Sequence, residues 1–310
     1  MRLSDRIGRR MKLHDLNVLM TVVEVGSMNK AAALLNTTQP AVSRSIADLE
    51  RALGVRLLDR HQNGVEPTAY GRALLDRSVT AFDELRQGVK NIEHLADPHA
   101  GEVRIGATGA TAAGFVSAVV DQLSRLHPRI SFHVEDDDTD ELQHQLHQRN
   151  LDLVIIRQSP AAVGERVNFE VLFSDNYVIV AGLEHPSIRQ WRVGLVELVD
   201  ERWAMPLPRT MAASIASQAF RASKVDLPRS VVFATPEVRL NLVTTGRFLS
   251  IFSELRLLLT QLPTKILPVR LPTASVPTGI MILKNRTLSP VAQLFIETAR
   301  KIAKPLAKKT

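Results

Sequence analysis

The chain has 310 residues, 45% hydrophobic and 23% charged, a balance that supports about two domains with buried cores and excludes a disordered chain. It contains no cysteine, which rules out a disulfide framework and a thiolate metal site; a reducing cytoplasm is the expected location. The net charge of +7 points to an anionic partner, and the basic excess lies at the two ends: residues 1–67 hold ten Lys/Arg against seven Asp/Glu, while the excess beyond residue 97, 25 against 21, is owed largely to the tail from Arg300 to Lys309.

The amino terminus, "MRLSDRIGRRMK" followed by "LNVLMTVVEVG", imitates a secretory signal. Its apolar stretch is only about 11 residues and is interrupted by Asn17, Thr21 and Glu24, which the wet face of an amphipathic helix tolerates and a signal core does not. No stretch approaches the ~18 uninterrupted apolar residues of a membrane helix, so no membrane partner is expected.

Leu16, Leu19, Met20 and Val23 recur at helical steps and predict a first helix over Leu13 to Val25, ended by Gly26. Ser27 is placed to cap a second helix, whose buried side is Met28, Ala31, Ala32 and Leu35; its small alanines permit close helix packing. Asn36 and Thr37 make a turn. Thr38 is the expected N-cap of a third helix, and Pro40 fits its first turn, where no intrahelical bond is lost. Val42, Ile46, Leu49 and Leu53 form one narrow stripe, which leaves Pro40, Arg44, Ala47 and Arg51 on the opposite face, with Ser43 beside them and Gln39 at the helix entrance. A plain solvated face is one reading of these groups. The other is a helix-turn-helix, whose second helix enters the major groove of DNA, where Gln and Arg make paired contacts to base edges.

After Gly54 a short strand over Val55 to Asp59, a turn at Asn63-Gly64 and a returning Val65-Glu66-Pro67 predict a wing. Arg56, Arg60 and His61 lie on or near it and either touch phosphate or pair with a neighbour such as Asp59. The run "GSMNKAAALLNTTQPAVSRSIADLERALGVRLLDR", Gly26 to Arg60, resembles the amino-terminal domain of LysR-type transcriptional regulators in its alanine pair, Gln-Pro, Ser-Arg, Leu-Glu and Leu-Gly-Val-Arg-Leu. The resemblance implies that Gln39, Pro40, Ser43 and Arg44 lie at the groove, with Thr38 capping. Leu58 stands where the family usually has phenylalanine, and Thr38 where serine is common.

From Thr68 to Ala96 no proline occurs, and Leu75, Ser78, Phe82, Leu85, Val89, Ile92 and Ala96 step by three and four, a heptad seam. Such a seam packs on its own domain or on a second copy of itself; the balanced polar face favours the second copy. The resemblance implies the same linker helix and a dimer, in the family commonly assembled further into a tetramer. Residues 1–67 are thus read as a winged helix-turn-helix, 68–96 as the linker and dimerisation helix, and 97–310 as an effector domain, with "ADPHAGEV" as the hinge.

Beyond the hinge, strands and helices alternate. "EVRIGAT", "ISFHVE" and "LDLVIIR" are strand-like, separated by helices over Thr111 to Arg125 and Asp140 to Arg149. "VNFEVLF" and "NYVIVAG" are expected to start a second α/β unit that continues through "SVVFA", "FLSIF" and "GIMIL", and the last helix is Pro290 to Lys304. Ligands of such sheets bind beyond the carboxyl ends of strands, near helix amino termini. "GATGATAAG" brings Thr108, Gly109, Ala110 and Thr111 to such an end, "MPLPRTMAAS" brings Arg209 and Thr210, and Arg157 supplies a cation. The other reading makes Thr111 and Thr210 helix caps and the two arginines partners of acids. Through "RIGATG", "NLDLVII" and the His185-Pro186 pair this region resembles the family's effector domain, two α/β lobes like those of periplasmic solute-binding proteins. The resemblance implies a cleft formed by Thr108 to Thr111 and Arg157 on one side and Leu207 to Thr210, Phe252 and Ser253 on the other.

The acidic run Glu135 to Glu141 lacks the glycine and spacing of a calcium loop, and His144 and His147 have no evident third ligand, so no metal is expected. No catalytic motif occurs, and no cofactor is implied. The chain reads as a transcriptional regulator that binds double-stranded DNA at two-fold related half-sites as a homo-oligomer and answers to a small-molecule effector, with the two arginines favouring a carboxylate. The alternative is a small-molecule-binding protein or enzyme built on the carboxy-terminal lobes, with the head serving only in assembly.

Overall fold

In a computed structural model, residues 11–61, 64–109, 111–157, 166–189, 193–258 and 262–307 are described. The expected turn residue Asn63 and the expected site residue Ala110 lie outside them. The chain divides into two compact units, Met1–Val89 and Lys90–Thr310.

In the first unit, α1 (Leu13–Val25), α2 (Met28–Leu34) and α3 (Gln39–Leu53) enclose a core of Val18, Leu19, Val22, Ala31, Val42, Ile46 and Leu49, each at most 1% exposed. Ser27 caps α2 as expected, its Oγ accepting from Lys30 N at 3.4 Å. Thr38 differs from expectation. Its backbone is extended ahead of α3, but its hydroxyl makes no cap bond; its carbonyl instead accepts from Ala41 N and Val42 N. Gly54 ends α3 in the left-handed conformation, φ 75°. The wing follows as β1 (Leu58–His61) paired antiparallel with β2 (Gly64–Pro67). Next comes α4 (Ala69–Ala96), started by Thr68, whose Oγ1 accepts from Gly71 N at 3.1 Å. Gly71 touches the head so closely that a Cβ there would sit 2.1 Å from the Leu57 carbonyl oxygen.

The seam predicted for α4 is split. Leu75, together with Leu74, packs on the head core, and the Ser78 hydroxyl is buried and bonded to the Leu74 carbonyl. Phe82 is half-buried. Leu85, Val89 and Ile92 remain 51%, 54% and 68% exposed, and Leu95 is 83% exposed. The low end of the stripe is used within the chain because the head has apolar surface beside it.

The second unit holds two five-stranded mixed sheets. The first orders its strands β4 (Arg129–Asp136), β3 (Ala100–Ala107), β5 (Leu153–Arg157), β12 (Val276–Leu283) and β6 (Val167–Asp175). A wide helical turn, Thr111–Val116, runs into α5 (Ser117–Leu126) and, with α10 (Pro290–Ala307), covers one face through Phe115, Val119, Leu123 and Phe295. The other face receives Leu142 and Leu146 of α6 (Thr139–His147). The second sheet runs β11 (Thr264–Ile266), β7 (Tyr177–Gly182), β10 (Leu249–Ser253), β8 (Trp203–Pro206) and β9 (Val231–Ala234). Here α7 (Met211–Ala222) packs Ile215, Ala219 and Phe220 against Trp203, and α8 (Pro236–Thr244) buries Val243 against Val180 and Phe252 on the opposite face.

Two strands expected in the second α/β unit belong to the first sheet: β6 ("VNFEVLF") and β12, which contains "GIMIL" and lies antiparallel between β5 and β6. The chain leaves the first lobe after Asp175 and re-enters it at Val276, so the return strand completes the first core rather than extending the second. A strand's alternation fixes which face is buried, not which sheet it joins.

Candidate functional site

In the head, the buried stripe of α3 turns its other side outward. Gln39, Pro40 and Arg44 are exposed, and Ser43 is half-buried beside them. Arg51, farther along the helix, is tied to Asp48 at 2.6 Å, whereas Arg44 makes no ion pair among the described residues. Thr38 is exposed at the same end. Arg56 and Arg60 are exposed and make no side-chain ion pair among the described residues, so the alternative reading of them as partners of Asp59 is not realised there. Helix α3 thus presents amide, hydroxyl and guanidinium groups at one end of a rigid rod, with one cation on the adjoining wing and another just before it.

Glu50 bridges the helix and the start of the wing. Its Oε1 accepts from Leu57 N at 2.8 Å and Leu58 N at 3.3 Å, joining α3 to the start of the wing. The sequence offered Glu50 only as part of the Leu-Glu pair, without a role.

In the second unit, parallel strands β3, β4 and β5 end on one edge. Thr108 and Gly109 are half-buried there. The Gly109 N–H already donates to Asp136 Oδ1 at 2.7 Å, an acid from the run that also caps α6 through Asp138. Thr111 is fully buried, its one hydroxyl proton shared between the carbonyls of Thr108, at 2.6 Å, and Ile155, at 3.1 Å. It pins the turn to β5. Arg157 ends β5 and its guanidinium is engaged, with Nη2 2.9 Å from Asp175 Oδ2, Nη1 2.8 Å from the Tyr177 hydroxyl, and the carbon 5.2 Å from the Tyr177 ring centre. Asp175 also accepts from Ser253 Oγ at 2.6 Å and Leu255 N at 3.2 Å. One buried carboxylate therefore ties β5 and β6 of the first lobe to β10 of the second. Burial holds the Tyr177 hydroxyl above its ordinary pKa against the pull of Arg157.

On the second lobe, Leu207, Arg209 and Thr210 are exposed after β8. Thr210 caps α7, its Oγ1 accepting from Ala213 N at 3.2 Å, and Arg209 takes φ 69° with no ion pair among the described residues. Phe252 and Ser253 are 2% and 3% exposed, Phe252 lying under the Arg239 guanidinium at 4.5 Å. Arg239 is 3% exposed and donates to Ser250 Oγ and the Ile251 carbonyl; burial first, and then Arg256, lower its pKa to about 10. Asp175, Tyr177 and Arg239 were not among the residues expected at the site, and their spacing in the chain gave no signal for them.

Comparison with known proteins agrees with both parts. The family model described as "Bacterial regulatory helix-turn-helix protein, lysR family" matches residues 13–72, and the one described as "LysR substrate binding domain" matches residues 96–304. The HTH-type transcriptional regulator GbpR of Azospirillum brasilense is 30% identical over 298 residues, covering 94% of this chain and 86% of GbpR. The transcriptional dual regulator GltC of Bacillus subtilis is 27% identical over 294 residues, covering 93% and 96%. In fold, the chain is similar to full-length OxyR from Pseudomonas aeruginosa, with TM-score 0.65, 18% identity, and 94% and 95% of the two chains covered. No helix among the described residues is long and apolar enough to cross a membrane. With an amino-terminal helix-turn-helix and a two-lobed effector domain both matched, the chain belongs to the LysR family of transcriptional regulators, DNA-binding proteins under effector control rather than enzymes.

Proposed function

We propose that Gln39, Pro40, Ser43 and Arg44 read base edges in the major groove, with Thr38 at the helix entrance, and that Arg56 and Arg60 contact phosphate. The observation that carries this reading is the outward end of α3, where Arg44 is exposed, with no ion pair among the described residues, opposite a fully buried stripe. Two heads work together. The exposed seam Leu85, Val89 and Ile92 supports a pair of α4 helices, with half-buried Phe82 continuing the stripe and Leu75 given over to the core of its own head. At ~1.5 Å per residue, the 28 residues of α4 span ~42 Å, enough to serve half-sites about 34 Å apart. A homo-oligomer in the cytoplasm, a dimer or a tetramer built from dimers, completes this picture, with residues 1–67 as head, 68–96 as linker helix and 97–310 as effector domain.

A small molecule bound between the lobes shifts the population of head arrangements by favouring one of them. Thr108, Gly109, Ala110 and Thr111 with Arg157 form the first side of its site, and Leu207, Arg209, Thr210, Phe252 and Ser253 the second. Thr111, Phe252 and Ser253 shape the walls from buried positions, and Arg157 acts through its hydrogen-bonded network with Asp175. A carboxylate on the effector is supported by Arg209, the exposed cation of the site without an acid partner among the described residues. Gel-shift titration of genomic fragments at two salt concentrations tests the function. Retardation of a subset of fragments, weakening steeply with salt, is expected; equal binding to every fragment refutes sequence reading by α3.

A further inference from the structure

We propose that Glu50 is a positioning residue for DNA binding: its carboxylate sets the wing, and with it Arg56 and Arg60, at a fixed place beside the reading face of α3. The inference rests on the reading of those arginines as phosphate contacts. A two-stranded sheet of four residues per strand is marginal by itself and needs outside anchors to hold one orientation. Its root is buried, with Leu57 and Leu58 only 1% and 4% exposed, so their N–H groups require acceptors. Glu50 Oε1 serves both, at 2.8 and 3.3 Å.

A second clamp closes from the other side. Thr68 Oγ1 donates to the Arg56 carbonyl at 2.8 Å, and Thr68 N donates to the Leu57 carbonyl at 2.9 Å. Arg56 is therefore held between the last turns of α3 and the residue that starts α4, while its side chain stays exposed. Without Glu50 the wing keeps the Thr68 anchor, the β1–β2 pairing, the bond from Val65 N to the Gly26 carbonyl at 3.0 Å and the bond from Arg72 Nη1 to the Pro67 carbonyl at 2.7 Å, but it loses both of its hydrogen bonds to the α3 carboxylate, and its placement beside α3 loosens. The base-reading groups of α3 stay where their own buried stripe puts them.

The test uses the full chain and a duplex of about 30 base pairs cut from its tightest genomic fragment, with affinity measured by fluorescence anisotropy across a salt series. Removing one phosphate-bound cation lowers the slope of log K against log salt by about 0.9. The double variant R56A/R60A should flatten the slope by about 2 to 4 for a dimer. E50A should flatten it to a similar degree with both arginines intact, and E50Q, whose amide oxygen can accept the same two bonds, should restore it. E50D, with its oxygen drawn back by one methylene, should behave like E50A and serves where E50A does not fold. An unchanged slope in R56A/R60A overturns the phosphate reading and this proposal with it. A flattened slope in R56A/R60A beside a wild-type slope in E50A or E50D, with only melting temperature lowered, overturns the clamp alone. So does an E50Q variant as flat as E50A.

Discussion

Leu85→Asp places a carboxylate in the centre of the exposed seam of α4, on both copies at once. Fully burying a Leu, Val or Ile side chain is worth about 1.5–3 kcal/mol, and Leu85, Val89 and Ile92 are 51%, 54% and 68% exposed in the single chain. Pairing thus recovers about 0.8–2 kcal/mol for each side chain, and removing Leu85 twice forfeits about 1.5–3 kcal/mol. Two unpaired carboxylates facing one another in an apolar seam add a desolvation cost of several kcal/mol. The sum exceeds about 4 kcal/mol, which corresponds to about a thousandfold rise in the dimer dissociation constant. Sedimentation velocity across a concentration series, with operator binding followed in parallel, should show a monomer and loss of binding. Leu75→Asp is the control: Leu75 packs on the head core, so that change should unfold the head rather than leave a folded monomer. A Leu85→Asp protein that stays dimeric at wild-type concentrations refutes the seam.

Asp175→Ala leaves the Arg157 cation buried without its acid and should cost about 3–5 kcal/mol; with about 2–4 °C per kcal/mol for a domain of this size, the effector unit should melt about 10 °C lower. A loss under about 1 kcal/mol would mean that water replaces the carboxylate. Gly71→Ala drives a methyl group against the Leu57 carbonyl and should destabilise the head by at least about 2 kcal/mol in urea unfolding; an unaffected head transition would show that α4 can shift away. Burial holds His185 below its ordinary pKa, against the pull of Glu201, and its Nδ1 accepts from Ser187 N. Because the unfolded chain takes up the proton first as pH falls below about 6.5, stability is lost from there down to the folded value. Urea titrations between pH 5 and 7.5 should show this slope and its flattening in His185→Gln.

The head was legible because its determinants are local. Val42, Ile46 and Leu49 define a stripe by spacing alone, and all three are fully buried. Thr38 misled because a cap residue type does not show whether its hydroxyl turns toward the helix or away. The lobes were legible as alternating strands and helices but not as sheets: β12 pairs with β5, far earlier in the chain, and nothing in "GIMIL" names that partner. The site suffered for the same reason. Arg157 was visible at a strand end, while Asp175 and Tyr177, which take up its guanidinium, approach only through the crossover between the lobes. Glu50 was visible as a letter in a motif, and its work depends on a turn that brings Leu57 back to it.

The central claim is that the outward end of α3 lies in the major groove and reads bases there. Binding-site selection with wild type and Arg44→Ala in parallel tests it most directly. The account predicts a loss of about 1–3 kcal/mol with relaxed preference at one base position in each half-site. Uniform weakening across all sequences would contradict it and make Arg44 a phosphate contact.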